Sequence, residues 1–375
     1  MQFATGYAVV PCGMPRGIDG LGADLFAQEV GYLREREPVY AQLLPLLHDQ
    51  LAGDFGARLA AAWANREVYA AYERPLMLLA ALRYDTLSDP DAHPLQAALA
   101  GNPPHLHAVS AAAVAAAVAP ERMRFWQALR ERVVQTNETT RAVTWLWPAA
   151  LLAMAGERRA IALVDIGTSA GLNLTADGLP PLWQDAAGAA IAVAPRPELA
   201  LRIGFDAAPL DVREPDAARW LRACVWPSDT PRLARLEQAI ACFGATAARP
   251  DAPRLVACNL PEVPVQLDAL PRESLILCMQ SIVRDYLPAA EYKRYEAEMR
   301  ALLLRRPALA ALWAELEMDS ERASSQENSA TLRVRYAAEG GALRELILAR
   351  THPHPKRLFV EAAAVEVLQR DFAAT

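Results

Sequence analysis

The chain has 375 residues, of which 53% are hydrophobic and 22% are charged. This length and composition are typical of a globular protein with a large core, and they predict two domains. The formal net charge is -6, and no block of Lys or Arg occurs, which argues against a nucleic-acid partner. A small molecule or a protein is the favoured partner.

Five cysteines are spread over the chain, and none forms a C-x-x-C pair. Neither a disulfide framework nor a zinc site is predicted, and the cysteines are interpreted as reduced core residues. No stretch approaches 18 uninterrupted apolar residues, and the N-terminus lacks the basic and apolar segments of a secretory leader. We therefore expect a soluble, cytoplasmic protein with no membrane partner, while the oligomeric state stays open.

Residues 1–155 are predicted to form an all-helical N-terminal domain. Residues 1–20 are rich in Pro and Gly, which predicts an ordered loop or a terminal arm. Leucines then recur at helical spacing between Leu43 and Leu51, and similar apolar stripes follow. Proline joints such as Pro103-Pro104 are predicted turns. Nothing in this half alternates with the period of a strand.

The polar segment Gln135–Arg141 separates two predicted helices, Glu121–Val134 and Ala142–Ala155. One interpretation is helix capping, because Asn137 can accept a hydrogen bond from a helix N-terminal amide and Glu138 suits a first turn. The other interpretation is that the segment forms the wall of a binding site. The sequence leaves both open.

The second predicted domain, residues 156–375, begins with the most informative stretch of the chain. Ile161–Val164 is predicted to be a strand buried on both faces, and Asp165–Gly171 a tight turn into a helix. Glycines in such a turn permit positive φ and a close approach to a ligand. The dinucleotide fingerprint G-x-G-x-x-G is absent, because only Gly167 and Gly171 are present, so a pyrophosphate is disfavoured.

An acidic residue, one residue, glycine, three residues and glycine, directly after a hydrophobic strand, resemble the first motif of class I S-adenosylmethionine-dependent methyltransferases. In that fold the turn passes under the amino-acid part of the cofactor, which carries no phosphate. The resemblance implies that the cofactor is held by Asp165, Gly167, Ser169, Gly171 and Asn173. A structural turn without a ligand is the alternative.

Two further predicted strands end in polar residues. Leu201–Asp206 ends in Asp206, beside the glycine turn, where a carboxylate can hold both hydroxyls of a ribose. Capping of the next helix is the alternative for this aspartate. Arg254–Leu260 carries Asn259, where class I methyltransferases commonly place an acid that faces the adenine amino group. An amide can also form a hydrogen bond with an adenine edge.

Strands and helices continue to alternate to the end of the chain. Ser274–Met279 is a fourth predicted strand, with Gln280 and Ser281 at its end. Later predicted elements are a helix at Ala290–Leu304, a strand around Leu309–Leu316 and a hairpin around Gly340-Gly341. The alternation predicts an α/β fold with a doubly wound, mostly parallel sheet whose ligand crevice lies at the carboxyl ends of the strands.

Several separated motifs resemble, in their order, the bacterial domain-of-unknown-function family 2332, over about residues 20 to 370. They are Gln135-Thr136-Asn137-Glu138, Ser169-Ala170-Gly171-Leu172-Asn173-Leu174, Gly204 to Asp211, Trp220-Leu221-Arg222-Ala223 with Val225-Trp226-Pro227, Ser281 with Tyr286-Leu287, and His352-Pro353-His354. What the resemblance implies is a fold like that of class I methyltransferases.

The leading hypothesis is S-adenosylmethionine-dependent methyl transfer to a polar small molecule. Asp206 is then expected to hold the ribose and Asn259 the adenine. His354, without a second ligand at metal spacing, is a candidate proton acceptor, and a solvated loop residue is the alternative. Gln280 and Ser281 are predicted to face the acceptor cavity and, together with His354, to be catalytic residues.

The acceptor site is predicted to be walled by Asn137, Glu138 and Arg141, which the following helix brings back towards the strand ends. A second hypothesis is a non-catalytic module of the same fold that binds a nucleoside or S-adenosylmethionine. A third is a nicotinamide-dependent oxidoreductase, and the missing middle glycine counts against it. No metal site is predicted.

Overall fold

A computed structural model describes residues 37–64, 66, 73–100, 109–319 and 326–373. The predicted arm at residues 1–20 and the predicted turn at Pro103-Pro104 lie outside these ranges. The α-helices of the described chain are α1 Pro38–Gln50, α2 Asp54–Trp63, α3 Glu73–Ser88, α4 Gln96–Leu99, α5 Ala111–Ala117, α6 Met123–Glu131, α7 Val143–Ala155, α8 Pro215–Cys224, α9 Thr230–Thr246, α10 Val263–Asp268, α11 Ala289–Arg305 and α12 Ala362–Asp371. None of them is long and apolar enough to cross a membrane.

One mixed, mostly parallel sheet contains nine strands of the described chain. They are β1 Ile161–Ile166, β2 Gln184–Asp185, β3 Leu199–Asp206, β4 Arg254–Ala257, β5 Leu275–Ser281, β6 Ala311–Met318, β7 Ala330–Ala337, β8 Leu343–Thr351 and β9 Arg357–Val360. Their order is β2-β9-β8-β7-β6-β5-β1-β3-β4. The α/β class and the four strands predicted to begin at Ile161, Leu201, Arg254 and Ser274 are thus confirmed, and β1 and β5 are buried as predicted. In contrast, β9 and α12 were not predicted.

The strand order reverses at β1. From β1 the chain adds β3 and β4 on one side, and then returns to add β5 and β6 on the other, all of them parallel. In open α/β sheets, ligands bind at such a reversal, outside the carboxyl ends of the strands. β7 is antiparallel to β6, and β8 is antiparallel to β7. β8 therefore also ends at the carboxyl edge.

Both faces of the central strands are covered. Val164 and Ile166 belong to one buried cluster with Met299 and Leu302 of α11. Leu163 alternates with them and is also fully buried, so the opposite face is covered too, and α7 contacts β5 and β6 there. A near-continuous apolar strand sequence is what such two-sided burial requires.

The described chain divides into two compact units. One consists of residues 137–211 and 237–373 and contains the sheet; the other is helical and consists of residues up to 136 together with 212–236. This division differs from the predicted boundary at residue 155, because α7 packs on the sheet. It also assigns α8 and the start of α9 to the helical unit.

Candidate functional site

The turn after β1 lies where the strand order reverses, and three of its residues have left-handed backbone. Gly167 has φ +73°, Ser169 has φ +55° and Gly171 has φ +71°. A left-handed conformation is uncommon for a serine. The turn leads into a helix, as predicted, and this helix is a 3-10 helix, Leu172–Gly178. This helix of seven residues ends at Gly178, and the prolines at 180 and 181 prevent it from continuing.

Every backbone N–H group from residue 167 to 171 donates within the protein. Gly167 N and Thr168 N donate to Phe205 O at 2.8 and 3.1 Å, and Gly171 N donates to Thr168 O at 2.9 Å. Ser169 N donates to Oδ2 of Asp206 at 2.8 Å, and Ala170 N lies 3.4 Å from Oδ1 of Asn137. The turn therefore has no spare amide with which to cradle a phosphate.

Hydrogen-bond acceptors, in contrast, remain open around this turn. Within the described ranges, no donor reaches the carbonyl oxygens of Gly167 and Ala170. Oδ1 of Asn173 is buried and has no partner among the described residues, while its backbone oxygen accepts from Nε1 of Trp145. A ligand group that faces these oxygens must donate hydrogen bonds.

Asp165 is a buried carboxylate that binds to the turn. Its side chain is 2% exposed, and Oδ2 accepts a hydrogen bond from Thr168 Oγ1 at 2.8 Å. Burial raises the pKa of Asp165 to about 7, with a smaller contribution from the negative charge of Asp206. Asp165 therefore binds to the turn itself, and its burial leaves little of its surface for a ligand.

Two of the predicted cofactor glycines have structural neighbours. A Cβ on Gly171 would lie 2.6 Å from Leu255 Cδ2 and 3.1 Å from Phe243 Cε2, and one on Gly167 would lie 2.9 Å from Val283 Cγ2. Side chains of the protein therefore fill the space beside both residues. A larger residue at Gly171 would therefore disturb the packing of the fold as well as the turn.

Asp206 joins the loops that follow β1 and β3. Its two oxygens accept from Ser169 N and Ala208 N, at 2.8 and 2.9 Å. Leu210 N in turn donates to Ser169 O at 3.0 Å. The aspartate is half-buried, and each oxygen keeps a second lone pair, so it can both fix the loops and bind hydroxyl groups. Asn259 follows β4 and is exposed.

The segment 137–141 reaches the same edge. Asn137 Nδ2 donates to Ser169 Oγ at 2.6 Å. Glu138 Oε2 lies 2.8 Å from Nδ1 of His354, and Arg141 Nε donates to Pro353 O at 2.9 Å. The structure thus places Asn137, Glu138 and Arg141 at the strand ends, where they contact Ser169, His354 and Pro353.

Gln280 is the predicted catalytic residue whose position the structure corrects. It is fully buried, and its amide nitrogen donates to Tyr292 OH and to Glu317, both at 3.1 Å. Its oxygen accepts from Tyr295 OH at 2.8 Å and from Trp313 Nε1 at 3.2 Å. All four hydrogen-bonding positions of the amide are therefore occupied. Gln280 is buried because β5 continues to Ser281, so that Gln280 lies inside the sheet and not at its end. Ser281 is half-buried at the strand end.

Sequence reasoning missed Glu317, near the end of β6. Its Oε1 accepts from Gln280 Nε2 and, at 3.0 Å, from Val283 N. Burial, and then the charge of Glu315, raise the pKa of Glu317 to about 8. A carboxylate inside an apolar strand, Ala311–Met318, was the signal that could have identified it.

A surface depression of about 520 Å³ lies at the opposite edge, where β3 begins. Its most buried charge, Arg202, is 1% exposed and is held by Asp177 and Asp251 at 2.6 and 2.9 Å. Ion pairing explains this cluster without a ligand. Among the described residues, no group of three or more His, Cys, Asp or Glu side chains is placed to hold a metal ion.

Comparison with known proteins identifies the family of this chain. A family model described as "Uncharacterized protein conserved in bacteria (DUF2332)" matches residues 25–359, and the chain belongs to this family. No curated protein and no solved structure matches the chain significantly. The family match includes parts of both compact units and all site residues from Asn137 to His354.

Proposed function

We propose that this member of the DUF2332 family is an S-adenosylmethionine-dependent methyltransferase that acts on a polar small molecule. The observation that carries the proposal is the reversal of the strand order at β1, where the adjoining turn offers open carbonyl oxygens but no spare backbone amide from residue 167 to 171. A cofactor that binds here must present donors. S-adenosylmethionine does so with its ammonium group and its ribose hydroxyls.

The residues present fit this cofactor better than a nicotinamide dinucleotide. The carbonyl oxygens of Gly167 and Ala170 and the buried Oδ1 of Asn173 suit the ammonium group. Asp206 suits the ribose, and Asn259 the adenine edge. A pyrophosphate would meet amides that already donate to Phe205 and Asp206. When bound, S-adenosylmethionine supplies a methyl group on a positively charged sulfur.

The proposal is tested by calorimetry with S-adenosylmethionine, S-adenosylhomocysteine and NAD. We expect binding of the first two and none of NAD. Asp206→Asn should weaken the affinity roughly tenfold to hundredfold, because a charged hydrogen bond contributes about 1–3 kcal/mol. Asp185→Asn is the matched control, since Asp185 also accepts from two backbone amides, Ala187 N and Ala189 N. Absence of binding, or equal losses in both variants, contradicts the proposal.

Binding without methyl transfer to any acceptor would support the alternative of a non-catalytic binding module. A second catalytic candidate comes from the left-handed Ser169, because Gly167-Thr168-Ser169-Ala170-Gly171 also matches G-x-S-x-G, the turn of serine nucleophiles. Such a nucleophile needs a base, but Ser169 Oγ receives its hydrogen bond from the amide of Asn137. Covalent labelling of Ser169 by a fluorophosphonate would favour this candidate over methyl transfer.

A further inference from the structure

Glu138 and His354 form a pair at the carboxyl edge of the sheet. Nδ1 of His354 lies 2.8 Å from Oε2 of Glu138, whose side chain is 5% exposed. The other oxygen, Oε1, accepts a hydrogen bond from Thr140 N at 3.0 Å. The backbone therefore fixes this carboxylate, which presents Oε2 to the imidazole.

The pair selects one form of the His354 ring. A carboxylate beside Nδ1 accepts the proton of that nitrogen, so a neutral ring carries its lone pair on Nε2. The His354 side chain is 36% exposed, which leaves the ring accessible to small molecules. Orientation of a histidine by a buried carboxylate is the arrangement that prepares Nε2 to accept a proton.

His352 is set in the opposite way. The backbone N–H of His354 donates to Nδ1 of His352 at 3.0 Å. Nδ1 of His352 is therefore an acceptor, and its neutral ring carries the proton on Nε2. The two rings, with centroids 5.6 Å apart, differ in which nitrogen is protonated.

The loop between β8 and β9 places this pair beside the turn that follows β1. β8 runs parallel to β1, so His354 lies at the edge that carries Ser169. Asn137, adjacent to Glu138, donates to Ser169 Oγ at 2.6 Å. Two consecutive residues therefore connect the proposed cofactor turn to the histidine.

We propose that His354 accepts the proton of a protic substrate, an alcohol or an amine, and that Glu138 is its positioning residue. The inference rests on the proposed function and deepens it. The lone pair of the substrate oxygen or nitrogen forms the bond to the methyl carbon, while the electrons of the methyl–sulfur bond remain on the sulfur. The substrate proton passes to Nε2 of His354, and Glu138 balances the charge of the imidazolium.

The tautomers are measured by long-range ¹H–¹⁵N NMR on the full chain with ¹⁵N-labelled histidine at pH 8.5. We expect the Nδ1–H form for His354 and the Nε2–H form for His352. His93 is an internal control, because its Nδ1 accepts from Leu95 N at 3.1 Å, which also sets the Nε2–H form. Loss of one signal in His354→Gln assigns the resonance. An Nε2–H form at His354 would overturn the inference.

Glu138→Gln provides a second, chemical readout with diethyl pyrocarbonate, which modifies unprotonated imidazole. At pH 8.5 we expect at least a threefold slower modification of His354, because Nε2 is a weaker nucleophile without a negative carboxylate beside Nδ1–H, and an unchanged rate at His352. If Glu138 only holds the loop in place, its replacement should loosen the His354 ring and speed up its modification, and that result would refute the proposed pairing. If Glu138→Gln fails to fold, its His93 signal is lost, and the tautomers measured in the wild type then test the proposal alone.

The cofactor assignment is tested separately in the same variants. Calorimetry with S-adenosylhomocysteine should give an affinity for His354→Gln within threefold of the wild type. With S-adenosylmethionine and an alcohol or amine substrate present, the His354→Gln variant should form S-adenosylhomocysteine at least a hundredfold more slowly than the wild type. Failure of the wild type to bind the cofactor removes the proposed function, whereas the wrong tautomer removes the proton acceptor even if the cofactor binds.

Discussion

Replacement of Gly171 by alanine should destabilise the fold by about 2–5 kcal/mol. The residue has φ +71°, and a left-handed conformation costs a residue with a Cβ about 1–2 kcal/mol. The added Cβ would also lie 2.6 Å from Leu255 Cδ2 and 3.1 Å from Phe243 Cε2, and such overpacking costs about 1–3 kcal/mol. Urea unfolding, followed by circular dichroism, gives the change in the free energy of unfolding.

Gly188→Ala separates the two contributions. Gly188 has φ +88°, but no atom lies within 4 Å of its added Cβ, so only the conformational cost applies. The difference between the two variants, about 1–3 kcal/mol, is the packing contribution at Gly171. Adding Leu255→Ala to Gly171→Ala should recover part of it in a double-mutant cycle. Equal losses at the two glycines would refute the packing argument.

Two other substitutions test the buried polar groups. Gln280→Leu should lower the free energy of unfolding by about 2–6 kcal/mol, because the donors of Tyr295 and Trp313 each lose a buried acceptor worth about 1–3 kcal/mol. Ser281→Ala should lower it by less than about 1 kcal/mol. Similar losses for the two variants in urea unfolding would contradict this. The native Asp165 holds a proton from pH 3.8 to about 7 that the unfolded chain has lost, so wild-type stability falls as the pH rises through this window. Asp165→Asn removes this effect, and its stability relative to the wild type should grow by up to about 4 kcal/mol between pH 4 and pH 7; a constant difference in unfolding free energy would rule this out.

The strands could be predicted because their signal is local. Ile161–Ile166 and Leu275–Ser281 are apolar runs of strand length, and both are buried as such runs require. A helix was predicted after Gly171 because a glycine turn follows a buried strand. The helix is present, but it is a short 3-10 helix, Leu172–Gly178, that ends before the prolines at 180 and 181.

The pairing of side chains could not be predicted, because it depends on residues far apart in the chain. His354 and Glu138 are 216 residues apart, and Trp313 and Gln280 are 33 apart. The position of Gln280 after an apolar run indicated a strand end. The strand continues to Ser281, two residues beyond the predicted end, so Gln280 lies inside the covered sheet and its side chain is fully buried. Proximity to the carboxyl edge was therefore predictable, and accessibility was not.

Two buried acids make the charge of this edge dependent on pH. Asp165 lies next to the last residue of β1 and Glu317 next to the last residue of β6, and burial raises their pKa values to about 7 and about 8. Both carboxyl groups are neutral in acid and become charged as the pH rises through these values. A cationic ligand at the edge favours their charged forms and lowers their pKa values, so its affinity must rise with pH. A phosphate would have the opposite dependence, so calorimetry at about pH 6 and about pH 9 would separate the proposed sulfonium cofactor from a dinucleotide.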